Sequence, residues 1–194
     1  VANPRIVIVD ADEAWCKHLK TMLGKLGYLV VGDASDGPGA LKLVRTRHPD
    51  LLIIQDHLPG LSGLEVARIM YEDQLGPVII TTDYMQQDLI EKAREARVFS
   101  ILLKPVEEHA LLPAVELAMG NYQEIIKLEK QVKELRDTLE TRKLVEKAKG
   151  ILMRTMKLSE EEAYKRIQKQ SMNKRISMRA VAEAVILAHN INQD

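Results

Sequence analysis

Residues 49–63 read PDLLIIQDHLPGLSG, and four apolar residues in that stretch, 51–54, follow one another without interruption. A strand with one face in water alternates apolar and polar side chains, whereas a continuous run is the pattern of a strand buried on both faces. The run stops at Gln55 and Asp56, and a helical pattern begins at Gly63 and lasts to Asp73. The unit recurs on both sides. Apolar runs at 6–9, 29–31, 78–80 and 101–103 alternate with helical patterns at 13–26, 38–47 and 86–96. Five short strands separated by helices predict an α/β fold, a doubly wound five-stranded parallel sheet.

Such sheets place their chemistry at the carboxyl ends of the strands. Those ends hold Asp10, Ala11 and Asp12 after the first strand, Gln55 and Asp56 after the third, Thr81 and Thr82 after the fourth, and Lys104-Pro105 after the fifth. With IVIVD at 6–10, PDLLII at 49–54, LPGLSG at 58–63 and PVIITT at 77–82, residues 4–119 resemble a response-regulator receiver domain, which has a flavodoxin-like fold. The resemblance implies an aspartyl phosphoacceptor, an acidic pair that holds Mg²⁺, a Thr or Ser and a Lys. Thr82 and Lys104 match. The acceptor position, four before Pro59, is Gln55, and a carboxamide is not an anionic nucleophile. Asp10 matches the first acid, but Ala11 replaces the second, and the aromatic switch position is Ile101. Hard cations want several oxygen ligands, so no metal and no cofactor are expected. A remnant pocket of Asp10, Asp12, Thr82 and Lys104 is expected, with Asp56 as an alternative acceptor. Against Asp56 stands the strand geometry, because a one-residue slip turns a side chain to the opposite face. Lys104 is read either as the phosphoryl partner or as a structural side chain, solvated or paired with Asp10.

From about residue 111 to 156 the pattern is helical throughout. Pro113 is read as lying in the first turn, where a missing N–H is tolerated. Ile125, Leu128, Val132, Leu135 and Leu139 fall at the a-d-a-d-a positions of a two-heptad seam, which predicts a parallel coiled-coil homodimer.

Two further helices follow. Ser159 and Glu162 have the spacing of a capping box, which starts a helix at Glu160 with Ala163, Tyr164 and Ile167 turned inward. Ser177 can cap a third helix whose apolar face is Met178, Val181, Ala182 and Val185. Arg142, Glu146, AKGILM at 148–153, Glu162-Ala163-Tyr164, Ser171-Met172 and Val181-Ala182 make residues 125–188 similar to an ANTAR domain. That resemblance implies a regulator of transcription antitermination, which binds hairpin loops in an mRNA leader and prevents a terminator from forming. RNA is read at unpaired bases and through its phosphates. The residues suited to this are Arg142, Lys147, Lys149, Arg154, Lys174 and Arg175 for charge, and Ser171 and Asn173 for hydrogen bonds. Gly150 leaves the backbone bare where a base or another helix can approach.

The domain reading is a receiver-like domain over 1–119, a linker helix over 120–141, and an ANTAR domain over 125–188 that includes part of the linker. Zero net charge conceals a division: residues 1–126 carry 12 Lys and Arg against 18 Asp and Glu, and residues 127–194 carry 16 against 10. An acidic half joined to a basic half points to a sensor and a polyanion-binding output. The single cysteine, Cys16, permits no intrachain disulfide and fits a reducing cytoplasm. No apolar stretch approaches the ~20 residues that span a bilayer, so no membrane partner is expected. No nucleophile–base pair marks an enzyme. A protein or small ligand controlling the α/β domain is left open. The alternatives to RNA binding are a DNA-binding response regulator and a protein-binding adaptor. The last helix, mostly apolar with Arg179 alone as a strong cation, is a poor recognition helix.

Overall fold

The structure, a computed structural model, describes residues 3–191; Val1 and Ala2 of the expected first domain lie outside them. The chain forms two compact units, Val1–Ile126 and Lys127–Asp194.

In the first unit, β1 (Arg5–Val9), β2 (Leu29–Ala34), β3 (Leu51–Gln55), β4 (Val78–Thr82) and β5 (Ser100–Leu103) form one parallel sheet in the order β2-β1-β3-β4-β5. Between them run α1 (Glu13–Lys25), α2 (Gly37–Arg47), α3 (Gly63–Glu72) and α4 (Gln87–Glu95). This is the expected doubly wound sheet. Successive strand residues face opposite sides, so each apolar run feeds two cores. Ile6, Ile8, Leu51, Ile53 and Ile79 join Leu19 and Leu23 of α1 and Leu111 and Val115. Val7, Val9, Leu52, Ile54 and Ile80 join Val44 of α2 and Val66 and Met70 of α3. β2 is three residues longer than its apolar run, because Gly32, Asp33 and Ala34 pair with Val7, Ile8 and Val9. As an edge strand it keeps polar residues, and Asp33 meets Lys20 there at 2.7 Å.

The strand order reverses between β1 and β3, which opens a crevice beyond their carboxyl ends. The β3–α3 turn is tight: a Cβ on Gly63 would collide with the Gln55 carbonyl oxygen. The Gly63 N–H donates to the Asp56 carbonyl at 2.8 Å, and a Ser62–Glu65 capping box starts α3.

Helix α5 spans Glu108–Met156. It begins three residues before the expected start, with the Glu107 carbonyl accepting from the Ala110 and Leu111 N–H groups at 3.0 Å each. Pro113 therefore sits in the second turn, where it withholds a hydrogen bond from the His109 carbonyl. The apolar pattern could not locate that start, because the first turn is polar, with Glu108 favourably placed at the positive end of the helix dipole.

In the second unit, α6 (Glu160–Lys174) and α7 (Met178–Ile191) complete three helices with the end of α5. Their core is Val145, Ala148, Leu152, Ala163, Ile167, Val181 and Ala182. The Ser159–Glu162 capping box is formed, and Ser177 Oγ accepts from the Ala180 N–H at 3.1 Å.

Candidate functional site

The crevice at the strand ends is lined by side chains that engage one another and the neighbouring backbone. Asp10, 3% exposed, has Oδ2 2.5 Å from Lys104 Nζ, with angles outside hydrogen-bond geometry, and its Oδ1 accepts from the Asp12 N–H at 3.0 Å. The Lys104 ammonium also lies 5.6 Å from the centre of the Trp15 ring. Gln55 Oε1 accepts from the Ala11 N–H at 3.1 Å. Thr82 Oγ1 donates to the Tyr84 carbonyl at 3.1 Å. Of the two readings of Lys104, the geometry selects pairing with Asp10.

Asp12 does not complete an acidic pair, contrary to its place in the expected pocket. Its Oδ1 caps α1, accepting from the N–H groups of Ala14 at 2.8 Å and Trp15 at 3.1 Å. This was legible in hindsight, since an Asp directly before a helix is a favoured cap. Of the expected acidic pair one carboxylate remains, Asp10, and it is paired with Lys104. This donor set does not fit a divalent cation, which needs several oxygens and uncompensated negative charge. Asp56 is buried at the end of β3 and lines a pocket with Gln55 and Thr82. Its Oδ2 meets His57 Nδ1 at 3.0 Å, and it lines a cleft with Ser62, Arg68 and Lys92 between α3 and α4.

In the second unit the expected RNA residues divide into two groups. Arg142, Lys147 and Arg154 are exposed on α5, and Asn173 and Lys174 are exposed at the end of α6. Arg175 follows as the C-cap, with φ at +52° and its side chain exposed. Lys149 and Ser171 do not belong with them. Lys149 is 6% exposed, and its Nζ donates to Glu146 at 2.9 and 3.0 Å and to Glu160 at 2.7 Å. Its hydrogen bonds to the carboxylates of Glu160, and then Glu146, hold its pKa above the usual lysine range. It joins α5 to the start of α6 and has no donor left for a phosphate. Ser171 Oγ donates to the Ile176 carbonyl at 2.6 Å, closing the turn between α6 and α7. Tyr164 is 43% exposed instead of inward, because Ala163 and Ile167 define the buried face and Tyr164 lies about 100° from Ala163 and about 60° from Ile167 around the helix. Two exposed cations outside the expected set, Arg136 and Lys143, precede Lys147 and Arg154 at intervals of seven, four and seven residues. That spacing was the signal that could have found them.

The heptad seam is bare within the chain. Leu128, Val132, Leu135 and Leu139 are each about half exposed or more, and Ile125 is half-buried.

Comparison with known proteins covers both units. The sequence profile of the response regulator receiver domain matches residues 6–116, and that of the ANTAR domain matches residues 133–186. The transcriptional regulatory protein PdtaR of Mycobacterium tuberculosis is 40% identical over 186 residues, covering 95% of this chain and 91% of that protein. Protein CcdB of Bacillus subtilis is 30% identical over 118 residues, 60% of this chain and 98% of its own. Among solved structures, the receiver domain of an HD domain-containing protein from Pseudomonas fluorescens superposes with a TM-score of 0.58 at 29% identity, covering 63% of this chain and 98% of that one. The receiver domain of NarL from Mycobacterium tuberculosis gives 0.59 at 22% identity, covering 62% and 98%, and supports the fold.

Proposed function

We infer an RNA-directed function from a premise that the matches establish: the chain belongs to the response regulators that join a receiver domain to an ANTAR domain. The protein binds hairpin loops in nascent mRNA leaders and keeps a terminator from forming. The observation that carries this reading is the state of the cations in the second unit. Arg142, Lys147, Arg154, Lys174 and Arg175 are exposed, and none is in an ion pair among the described residues. Phosphate backbones are gripped by cations of this kind. Asn173 and the bare backbone at Gly150 add polar contact and close approach, while Lys149 and Ser171 hold the fold.

The receiver unit works without aspartyl phosphorylation and without Mg²⁺. Gln55 offers no acceptor, and the Asp10–Lys104 pair fills the place where a metal and a phosphoryl group would need charge. Control falls to a protein or small ligand acting on this unit. The exposed seam from Ile125 to Leu139 pairs two copies in parallel, so two RNA-binding units act together in the cytoplasm. A DNA reading has less support, since α7 offers an apolar face and an Arg179 already paired with Glu183 at 2.9 Å and Glu140 at 3.4 Å.

Competition of hairpin RNA against duplex DNA in one gel-shift series tests this function. Displacement of bound hairpin by unlabelled hairpin, with duplex DNA far weaker, is expected. Preferential displacement by DNA, or no RNA shift at all, would overturn the reading.

A further inference from the structure

Four of the eight exposed cations of α5 share one face of the helix. At 100° per residue, Arg136, Lys143, Lys147 and Arg154 fall within about 40° of one another around the helix. They lie opposite the face that buries Val145, Ala148 and Leu152. The acids next to this stripe are occupied elsewhere: Glu140 with Arg179 and Glu146 with Lys149. What remains is a cationic track about 27 Å long. Gly150 lies beside it, between Lys147 and Arg154. A mid-helix glycine costs about 1 kcal/mol relative to alanine, and packing inside the chain does not offset it: a Cβ at Gly150 would meet nothing within 4 Å. The gap faces outward, where the charge is.

We propose that the sugar–phosphate backbone of a single-stranded RNA loop runs along α5 on Arg136, Lys143, Lys147 and Arg154, with its closest approach to the helix at Gly150. The inference rests on the RNA reading given above and deepens it by naming the path. The cations hold phosphates, and the missing side chain lets the strand lie against the helix. Lys149, one residue from the gap, is kept out of the track by Glu146 and Glu160, which fixes the α5–α6 turn beneath it.

The test is fluorescence anisotropy on the full chain with an end-labelled RNA hairpin. Two phosphate contacts carry a log–log salt slope of about 0.7 each for single strands. Lys147→Gln with Arg154→Gln should therefore weaken binding about 25-fold at 0.1 M salt and reduce the slope by about 1.4. Arg166→Gln with Lys169→Gln, the same charge change on α6, should shift affinity less than about threefold. Gly150→Ala should raise the melting temperature while weakening binding, and Gly150→Leu should weaken it further with the helical circular dichroism retained. Equal losses in the two charge pairs would reduce the track to diffuse attraction and overturn the path. So would Gly150→Leu altering the sedimenting mass without altering RNA affinity, which would make the face a contact between copies. Unchanged affinity in every variant removes the path and leaves the RNA function standing, whereas a wild-type chain that binds no hairpin removes the function itself.

Discussion

Substituting Lys104 by Met isolates the ion pair at the strand ends. Lys104 is the partner of an Asp10 carboxylate whose side chain is 1% exposed, at 2.5 Å. Met keeps most of the aliphatic length and the contact with Trp15 but removes the charge. A buried ion left without its partner costs about 3–5 kcal/mol, whereas removing both charges together is often close to neutral. Lys104→Met should therefore destabilise the first unit by that amount, and Asp10→Asn combined with Lys104→Met should recover most of it. The chain has one tryptophan, Trp15, which lies over the Lys104 ammonium and reports on this unit in urea titrations of the whole protein. With a urea slope of about 2 kcal/mol per molar, the single variant should lose roughly 2 M in midpoint. An unchanged midpoint, or a double variant as unstable as Lys104→Met alone, would refute the role of Lys104 as the partner that compensates the buried Asp10 charge.

Incubation with acetyl phosphate and Mg²⁺ should leave the intact mass unchanged for the wild-type chain and also for Gln55→Asp, because Ala11 and the Asp10–Lys104 pair still deny the metal its ligands; a phosphoryl adduct lost in Asp56→Ala would instead place the acceptor at Asp56. Leu135, 70% exposed, is the barest seam residue. Burying it in both copies contributes about 3 kcal/mol, so Leu135→Lys should weaken dimerisation by about 100-fold in sedimentation equilibrium, and an unchanged mass distribution would remove the seam from the interface. Acid should weaken the second unit in a defined direction. Lys149 holds the Glu160 carboxyl, and Ser159 the Glu162 carboxyl, below the usual carboxylate range. A folded pKa below the unfolded one gives stability that is complete above the unfolded value and lost as pH falls through the folded one. Melting followed by helical circular dichroism should thus fall below pH of about 4, less steeply in Glu160→Gln, and equal slopes in the two chains would detach Glu160 from this effect.

The strands were legible because burial on both faces leaves short continuous apolar runs, and their length and regular alternation with helical patterns separate them from buried helix segments. The same logic hid the end of β2, since an edge strand keeps polar residues such as Asp33. The receiver resemblance located Gln55, Thr82 and Lys104 correctly at strand ends, but sequence alone could not say what each side chain touches. Asp12 looked like a spare ligand until the cap consumed it. Lys149 shows the limit most clearly. Its charge is visible in the sequence, and Glu146 three residues earlier hinted at a partner. The second partner, Glu160, reaches it only because the chain turns between α5 and α6. Charge counts identify a basic unit; which cations stay uncovered depends on packing.

Single-round transcription in vitro, on a template carrying twin leader hairpins ahead of a terminator, separates RNA-driven read-through from control by phosphorylation. Added protein should raise read-through in proportion to RNA occupancy, with no change on adding acetyl phosphate and Mg²⁺. Termination that stays constant at protein concentrations saturating the leader RNA, or read-through that requires the phosphodonor, would contradict the account.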